Sequence, residues 1–237
     1  MPHERPSSLA TTHTVTAVGA TTGGSGGESP TGEYVADLSG GGFSNIFSRP
    51  SYQDEAVELY LASSGLPSSR NYNKQGAGFP DIAAQGLRYD TCTDDFFYPI
   101  SGTSAACPAA TGNPGPNPYP YRAVPNPSPN PHSKRVVPNP SPNPSPYRPT
   151  TGIMSILAQA RMDATGNSTG LGWLNPTLYA LGKDDVASGS YAFNDVTVGT
   201  NTYCGADDGF PAANGWDPVT GWGTLNFGKL KPLFEEL

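Results

Sequence analysis

"ISGTSAACPAATGNPGPNPYP", residues 100–120, carries two signals that cannot share one helix. In its first half an apolar run, "DFFYPI" (95–100), gives way to Ser-Gly-Thr-Ser and then to small residues. That order predicts a strand, a tight turn and a helix with Ser104 in its first turn. Unpartnered N–H groups and the helix dipole favour negative charge there. Such a seat suits the oxyanion formed when a serine attacks a carbonyl. An N-cap role explains a serine in the same place, so the tetrapeptide "GTSA" does not choose by itself. Pro108 is expected to fall where first-turn N–H groups lack partners anyway.

The second half is a proline run. Fourteen of the 26 prolines lie between Thr111 and Thr150, and "VPNPSPNP" occurs at 124–131 and again at 137–144. Each proline inside a helix costs about 3 kcal/mol, so the helix cannot pass through. Alternating prolines predict an extended, solvated, disordered insert over 111–150, or a ligand for proline-binding grooves. "Thr-Gly" stands at both junctions, 111–112 and 151–152. With the residues between removed, "CPAATG" would run directly into "TGIMSIL". The expectation is that the helix loops out here, or that these residues are absent from the mature protein, as a translated intron would be.

Outward from this point, three parts are expected: 1–110, the insert 111–150, and 151–237. "THTVTAVGA" (12–20), "EYVAD" (33–37), "GFPDIAAQG" (78–86) and "DFFYPISG" (95–102) read as strands. "PSYQDEAVELYLASSG" (50–65) reads as a helix with Ser51 and Asp54 as a capping pair and Ala56, Val57, Tyr60 and Leu61 on one face. "TTGIMSILAQARMDA" (150–164) reads as a helix burying Ile153, Ile156, Leu157 and Ala160. "LNPTLYALG" (174–182) reads as a short helix that starts at Pro176 and stops at Gly182. The triple glycine at 40–42 predicts close approach of another backbone. The last 45 residues read as turns and short strands.

Composition narrows the function. Net charge is −7, and the proline window holds four basic residues and no acidic ones, so the remainder is more acidic still. An acidic body repels nucleic-acid phosphates and suits a protein that works in acid or binds a cation. Three cysteines, Cys92, Cys107 and Cys204, allow one disulfide or none and have no metal-ligand spacing. No apolar run approaches the roughly 20 residues of a membrane span. The first residues, "MPHERPSSLATTHT", do not read as a secretory signal.

Six ordered motifs then carry a resemblance: "SGGGFSNIFSRPSYQDEAV" (39–57), "GFPDIAAQG" (78–86), "SGTSAACP" (101–108), "LGWLNPTLY" (171–179), "FNDVTVG" (193–199) and "NGWDPVTGWGTLNFGKL" (214–230). Together they resemble the C-terminal half of the sedolisin family, the serine-carboxyl peptidases. The resemblance implies an α/β, subtilisin-like domain with a parallel sheet, N-terminally incomplete and interrupted by the insert. It implies hydrolysis of peptide bonds at acid pH, as an endopeptidase or a tripeptidyl peptidase, outside the cell or in a vacuole. Ser104 matches the family nucleophile. The base is a glutamate oriented by an aspartate four residues on, since a histidine would be protonated in acid. A further aspartate serves the oxyanion hole.

The segment carrying those three acids lies upstream of the part matched here. Little or no hydrolysis is therefore expected of this stretch alone. Glu33 and Asp37 imitate the spacing of the base pair, but "EYVAD" reads as a strand. The resemblance also implies a calcium ion held by Asp195 and the Val196 carbonyl, with the Gly215 carbonyl and Asp217 of the Gly-Trp-Asp-Pro loop, and Ala213 as a further carbonyl donor. Mixed carboxylate and carbonyl oxygens suit such a hard cation. Asp81 is expected to support the fold. The other readings are an inactive calcium-binding remnant and an interaction protein that uses the proline run.

Overall fold

Small and β-branched residues build the centre of the molecule. In this computed structural model the described residues are 15–23, 32–63, 65–68, 72–93, 96–111, 152–166, 171–189, 192–202 and 209–237, with backbone alone for 90–93 and 96–97. Strand β1 is Val18–Gly23, β5 is Ile82–Gln85 and β9 is Thr224–Leu225. These three run parallel, in register from Val18 opposite Ile82 to Thr21 opposite Gln85 and with Ala83 opposite Thr224. Antiparallel strands flank them: β2 (Glu33–Val35) beside β1, and β8 (Phe193–Asn194) beside β9. The order is β2-β1-β5-β9-β8. The expected parallel sheet is thus present as a parallel centre with antiparallel edges.

The chain after β8 returns toward the opposite edge. The Val35 N–H donates to the Val198 carbonyl at 3.0 Å, and Val35, Val196 and Val219 close a small apolar cluster there. Two antiparallel ribbons stand apart from the main sheet. One pairs β3 (Gly42–Ser48) with β4 (Gly76–Phe79); the other pairs β6 (Tyr89–Thr93) with β7 (Phe96–Ile100). The "GFPDIAAQG" stretch therefore forms two strands, β4 and β5, divided at the cis Phe79–Pro80 bond. At the triple glycine, a Cβ on Gly41 would collide with the Pro218 carbonyl. The close backbone approach expected from the sequence is met there.

Among the described residues five α-helices pack around this frame: α1 (Asp54–Leu61), α2 (Thr103–Thr111), α3 (Ile153–Thr165), α4 (Asn175–Ser188) and α5 (Phe227–Glu235). Several depart from their sequence reading. Ser51 does not cap α1; it lies in a single 3-10 turn, Ser51–Gln53, and Asp54 instead receives the Arg49 Nε at 2.8 Å. Ile156 is 46% exposed, and Met154 is buried in its place. Helix α4 runs past Gly182 to a left-handed Gly189. Gly182 is internal because the Trp222 ring lies against it and leaves no room for a Cβ; packing, not a turn, requires that glycine. Helix α5 replaces the expected turns, burying Leu230 and Phe234 completely.

One apolar core joins both sides of the proline run. It contains Phe43, Val57, Tyr60 and Ile82 from the first side and Leu157, Leu178, Trp216, Trp222 and Phe234 from the second. Edge-on aromatic contacts hold it: Phe43 with Trp216 at 6.1 Å, Tyr60 with Trp216 at 6.0 Å, and Tyr179 with Trp222 at 5.8 Å between centroids. Such pairs add to simple area burial. Residues 112–151 lie outside the described residues, and so does the extended insert expected there.

Candidate active site

Ser104 is set by backbone contacts at the C-terminal end of the parallel strands. Directly after β5, the Gly86 carbonyl accepts the Gly102 N–H at 2.7 Å. The Gly102 carbonyl then accepts the Ala105 N–H at 2.9 Å and begins α2. A Cβ on Gly86 would stand 2.7 Å from the Ala20 Cβ and 2.9 Å from the Gly102 oxygen. Only glycine therefore lets the turn before Ser104 rest on the sheet. The Arg88 N–H donates to Ser101 Oγ at 3.1 Å and ties the β6–β7 ribbon to the same turn.

Helix α2 buries Ala105, Ala106, Ala109 and Ala110; Ala106 packs with Ala20 and Ala36. The opposite face turns Ser104 and Cys107 to solvent. An exposed hydroxyl in the first turn of a helix, beyond the carboxyl ends of parallel strands, is where an α/β sheet presents a site. Pro108 is the sixth residue of α2, beyond the first turn where it was expected. It brings no N–H to the Ser104 carbonyl.

The Glu33 and Asp37 pair is not a catalytic dyad. Glu33 lies on β2, and its carboxylate accepts the Thr224 hydroxyl at 2.7 Å, while Asp37 is exposed in the following turn. Burial raises the Glu33 pKa above its ordinary value, and the Thr224 hydrogen bond opposes this. With Glu33 on a strand and Asp37 in the turn after it, the pair lacks the one-helical-turn spacing that would set two carboxylates side by side. Glu33 is held within the sheet by the Thr224 hydrogen bond.

The acidic loops expected to hold calcium do meet. Asp195 follows β8, and its carboxylate accepts the Gly215 N–H at 2.8 Å across twenty residues of chain. Asp217 is fully buried. Its Oδ1 accepts the Val219 and Thr220 N–H groups at 2.9 and 2.8 Å, and its Oδ2 accepts the Ala213 N–H at 3.0 Å. Val196 is wholly buried beside them. Desolvation pushes Asp195 up to about 6, against hydrogen bonds from Gly215 and Val196. Desolvation, reinforced by the Asp195 charge, pushes Asp217 up to about 7.

Two carboxylates that repel in a dry setting, with backbone carbonyls on the same loops, make a hard-oxygen set that fits Ca²⁺. A small cavity lined by Asp185, Asp195, Gly215 and Trp222 opens on this place. Among the described residues no group of three or more His, Cys, Asp or Glu side chains gathers as a metal site, at these loops or elsewhere, so a cation here would depend on backbone carbonyls to complete its shell.

A second buried carboxylate centre was read only as support for the fold. Asp81 accepts the Ala17 N–H at 2.7 Å, the Tyr179 hydroxyl at 3.0 Å, and Asn175 Nδ2 at 3.2 Å, with Gln53 Nε2 at 3.5 Å. Its partners come from the residue just before β1, from α4 and from the turn before α1, so one side chain fastens three parts of the chain. The sequence signals the aspartate but not its partners, which lie up to 98 residues away. Cys107 is a free, exposed thiol. The cysteine at 204 and the acids Asp207 and Asp208 lie outside the described residues.

No family model matches the chain. It is 35% identical to human tripeptidyl-peptidase 1 over 219 residues, covering 89% of this chain and 30% of that protein. It is likewise 35% identical to the bovine protein of that name over 235 residues, covering 95% and 32%. The chain thus spans about a third of the length of these relatives. Among solved structures, Pseudomonas sedolisin, a serine-carboxyl proteinase complexed with two molecules of pseudo-iodotyrostatin, superposes with a TM-score of 0.54 at 24% identity, over 96% of this chain and 48% of that one. The identity to tripeptidyl-peptidase 1 over most of the chain, with the fold shared with sedolisin, places this protein in the sedolisin family.

Proposed function

We propose that the chain is the nucleophile-bearing part of a serine-type peptidase that hydrolyses peptide bonds in acid, as an endopeptidase or a tripeptidyl peptidase. The observation that carries this reading is the seat of Ser104: exposed, in the first turn of α2, past the carboxyl end of β5. In this role Ser104 Oγ attacks the substrate carbonyl, and the helix terminus stabilises the oxyanion that forms. A carboxylate base accepts the serine proton, which a histidine could not do at the same pH. By family pattern that base and its aspartate partner belong to the part of the relatives that this chain does not span. Partners are peptide or protein substrates; the acidic surface disfavours nucleic acid. No helix among the described residues is long and apolar enough to cross a membrane. The working location proposed is extracellular or vacuolar.

Calcium belongs to the same proposal. Asp195, the Val196 and Gly215 carbonyls, Asp217 and the Ala213 carbonyl would hold it. When bound, the ion supplies positive charge that relieves the repulsion between the two carboxylates and ties their loops. Its contribution is to stability, not to a bond-making step.

The test is hydrolysis of a fluorogenic peptide at about pH 4, where a carboxylate base is ionised in part. The chain is assayed alone and joined to the preceding segment of human tripeptidyl-peptidase 1. The joined protein is expected to hydrolyse the peptide, and Ser104→Ala to lower its rate by at least about 10³-fold. Activity that survives Ser104→Ala overturns the assignment.

A further inference from the structure

The two parallel strands that seat Ser104 meet the loop of Asp217 in different ways. Backbone bonds tie the β5 segment to that loop: the Trp222 N–H donates to the Asp81 carbonyl at 3.0 Å, and the Ala83 N–H to the Gly223 carbonyl at 2.8 Å. Strand β1 reaches the loop through a side chain. The Ser39 hydroxyl accepts the Ala20 N–H at 2.9 Å and donates to the Val219 carbonyl at 3.1 Å. Ser39 is 2% exposed, and Ala20 and Val219 are completely buried. Its place is set by the turn after β2, where the Ser39 N–H donates to the Ala36 carbonyl at 2.8 Å.

The chemistry of this bridge calls for a hydroxyl. One oxygen must both accept and donate in a dry place, and a serine side chain does so in the smallest volume. A Cβ on Gly19 would stand 2.9 Å from the Val219 carbonyl oxygen and 3.1 Å from Ser39 Oγ, so the bridge forms in space that a glycine leaves open. With the hydroxyl removed, a buried N–H on β1 and a buried carbonyl on the loop both lose this partner. At its far end the bridge rests on Asp217, whose Oδ1 accepts the Val219 and Thr220 N–H groups at 2.9 and 2.8 Å.

Ala20 carries the effect toward Ser104. Its Cβ lies 2.7 Å from where a Cβ on Gly86 would stand, and it packs with Ala106 of α2. The next residue, Thr21, accepts the Gly86 N–H at 2.9 Å, and the Gly86 carbonyl accepts the Gly102 N–H at 2.7 Å. Close-packed contacts of this kind transmit a small displacement rather than absorb it. We propose that Ser39 is a positioning residue for Ser104: its hydroxyl holds β1 against the Asp217 loop and so fixes the turn from which α2 starts. This role rests on the reading of Ser104 as the group that attacks the substrate, and Ser39 acts on Ser104 only through β1.

Ser39→Ala, in the chain joined to the preceding segment of human tripeptidyl-peptidase 1, is the test, with Leu230→Ala as its control. Leu230 is completely buried on α5, away from this path, and its truncation lowers stability by opening a cavity. Ser39→Ala is expected to lower kcat about tenfold with KM within about twofold of the parent, because a small displacement of a reacting group costs rate rather than binding. Leu230→Ala is expected to lower the melting temperature at least as much and to leave kcat within about twofold. Amide hydrogen exchange, followed by mass spectrometry on peptides containing Gly102, is expected to be at least about tenfold faster in Ser39→Ala, with no such change in Leu230→Ala. A parent that does not hydrolyse the peptide counts against the reading of Ser104, and Ser39 is then judged on exchange alone. Unchanged exchange at Gly102, an unchanged kcat in an active parent, or equal losses of kcat in the two variants overturn the role of Ser39.

Discussion

Ser104 was legible as a residue because three local signals agree: an apolar run, a Gly-Thr turn and a train of small residues. Its support was not legible, because Gly86 and Ala20 meet the turn only through the sheet. The Asp81 centre shows the same limit, with its donors spread over three elements. Burial pushes the Asp81 carboxyl up to about 6, against the hydrogen bonds from Ala17, Tyr179, Gln53 and Asn175. A folded pKa raised above the unfolded value of 3.8 means stability that is fully present below pH 3.8 and lost as the pH rises through about 6. Asp81→Asn removes that titration. Its melting temperature is expected to change less between pH 4 and pH 8 than that of the parent, the difference corresponding to about 2 kcal/mol. Thermal melts across that range check this; an unchanged pH slope counts against a titrating Asp81.

Among the elements, β1, β2, β5, β7 and the cores of α1, α3 and α4 were legible, while β3, β6 and the helix ends and stops were not. Gly182 illustrates the reason. A glycine after a helical pattern is a natural stop, yet here α4 continues for six residues beyond it because Trp222 from a distant loop occupies the place of its side chain. Nothing within the helix reports that contact. Gly182→Ala would gain about 1 kcal/mol in an exposed helix interior. Here it is expected to cost about 2–3 kcal/mol through overpacking against the indole, measured by urea unfolding. Ser51 failed as a cap for a related reason: the Arg49 side chain engages Asp54 and leaves no capping box. The C-terminal α5 was missed because turn residues dominate the composition around it. Pro232 within α5 also reads as a breaker, although the helix buries Leu230 and Phe234.

At the scale of the whole molecule, one apolar core takes residues from both sides of the proline run and packs against the five-stranded sheet. The fold class was legible only through the order of six motifs; no single motif reports a mixed sheet whose edges are antiparallel. The loops proposed to hold calcium were read the same way, since Asp195 and Asp217 are ordinary turn residues until chain and sheet bring their loops together. Adding Ca²⁺ is expected to raise the melting temperature by several degrees through binding to the folded state alone. Asp217→Asn is expected to abolish that shift, and a shift that persists in this variant rules the loops out as the site.

The central claim is that Ser104 is the nucleophile. The chain joined to the preceding segment of human tripeptidyl-peptidase 1, treated at acid pH with a peptidyl fluorophosphonate and digested for mass spectrometry, tests it most directly. The account predicts a covalent adduct on the peptide containing Ser104 and none in Ser104→Ala; an adduct confined to another residue, or no adduct at all, would contradict it.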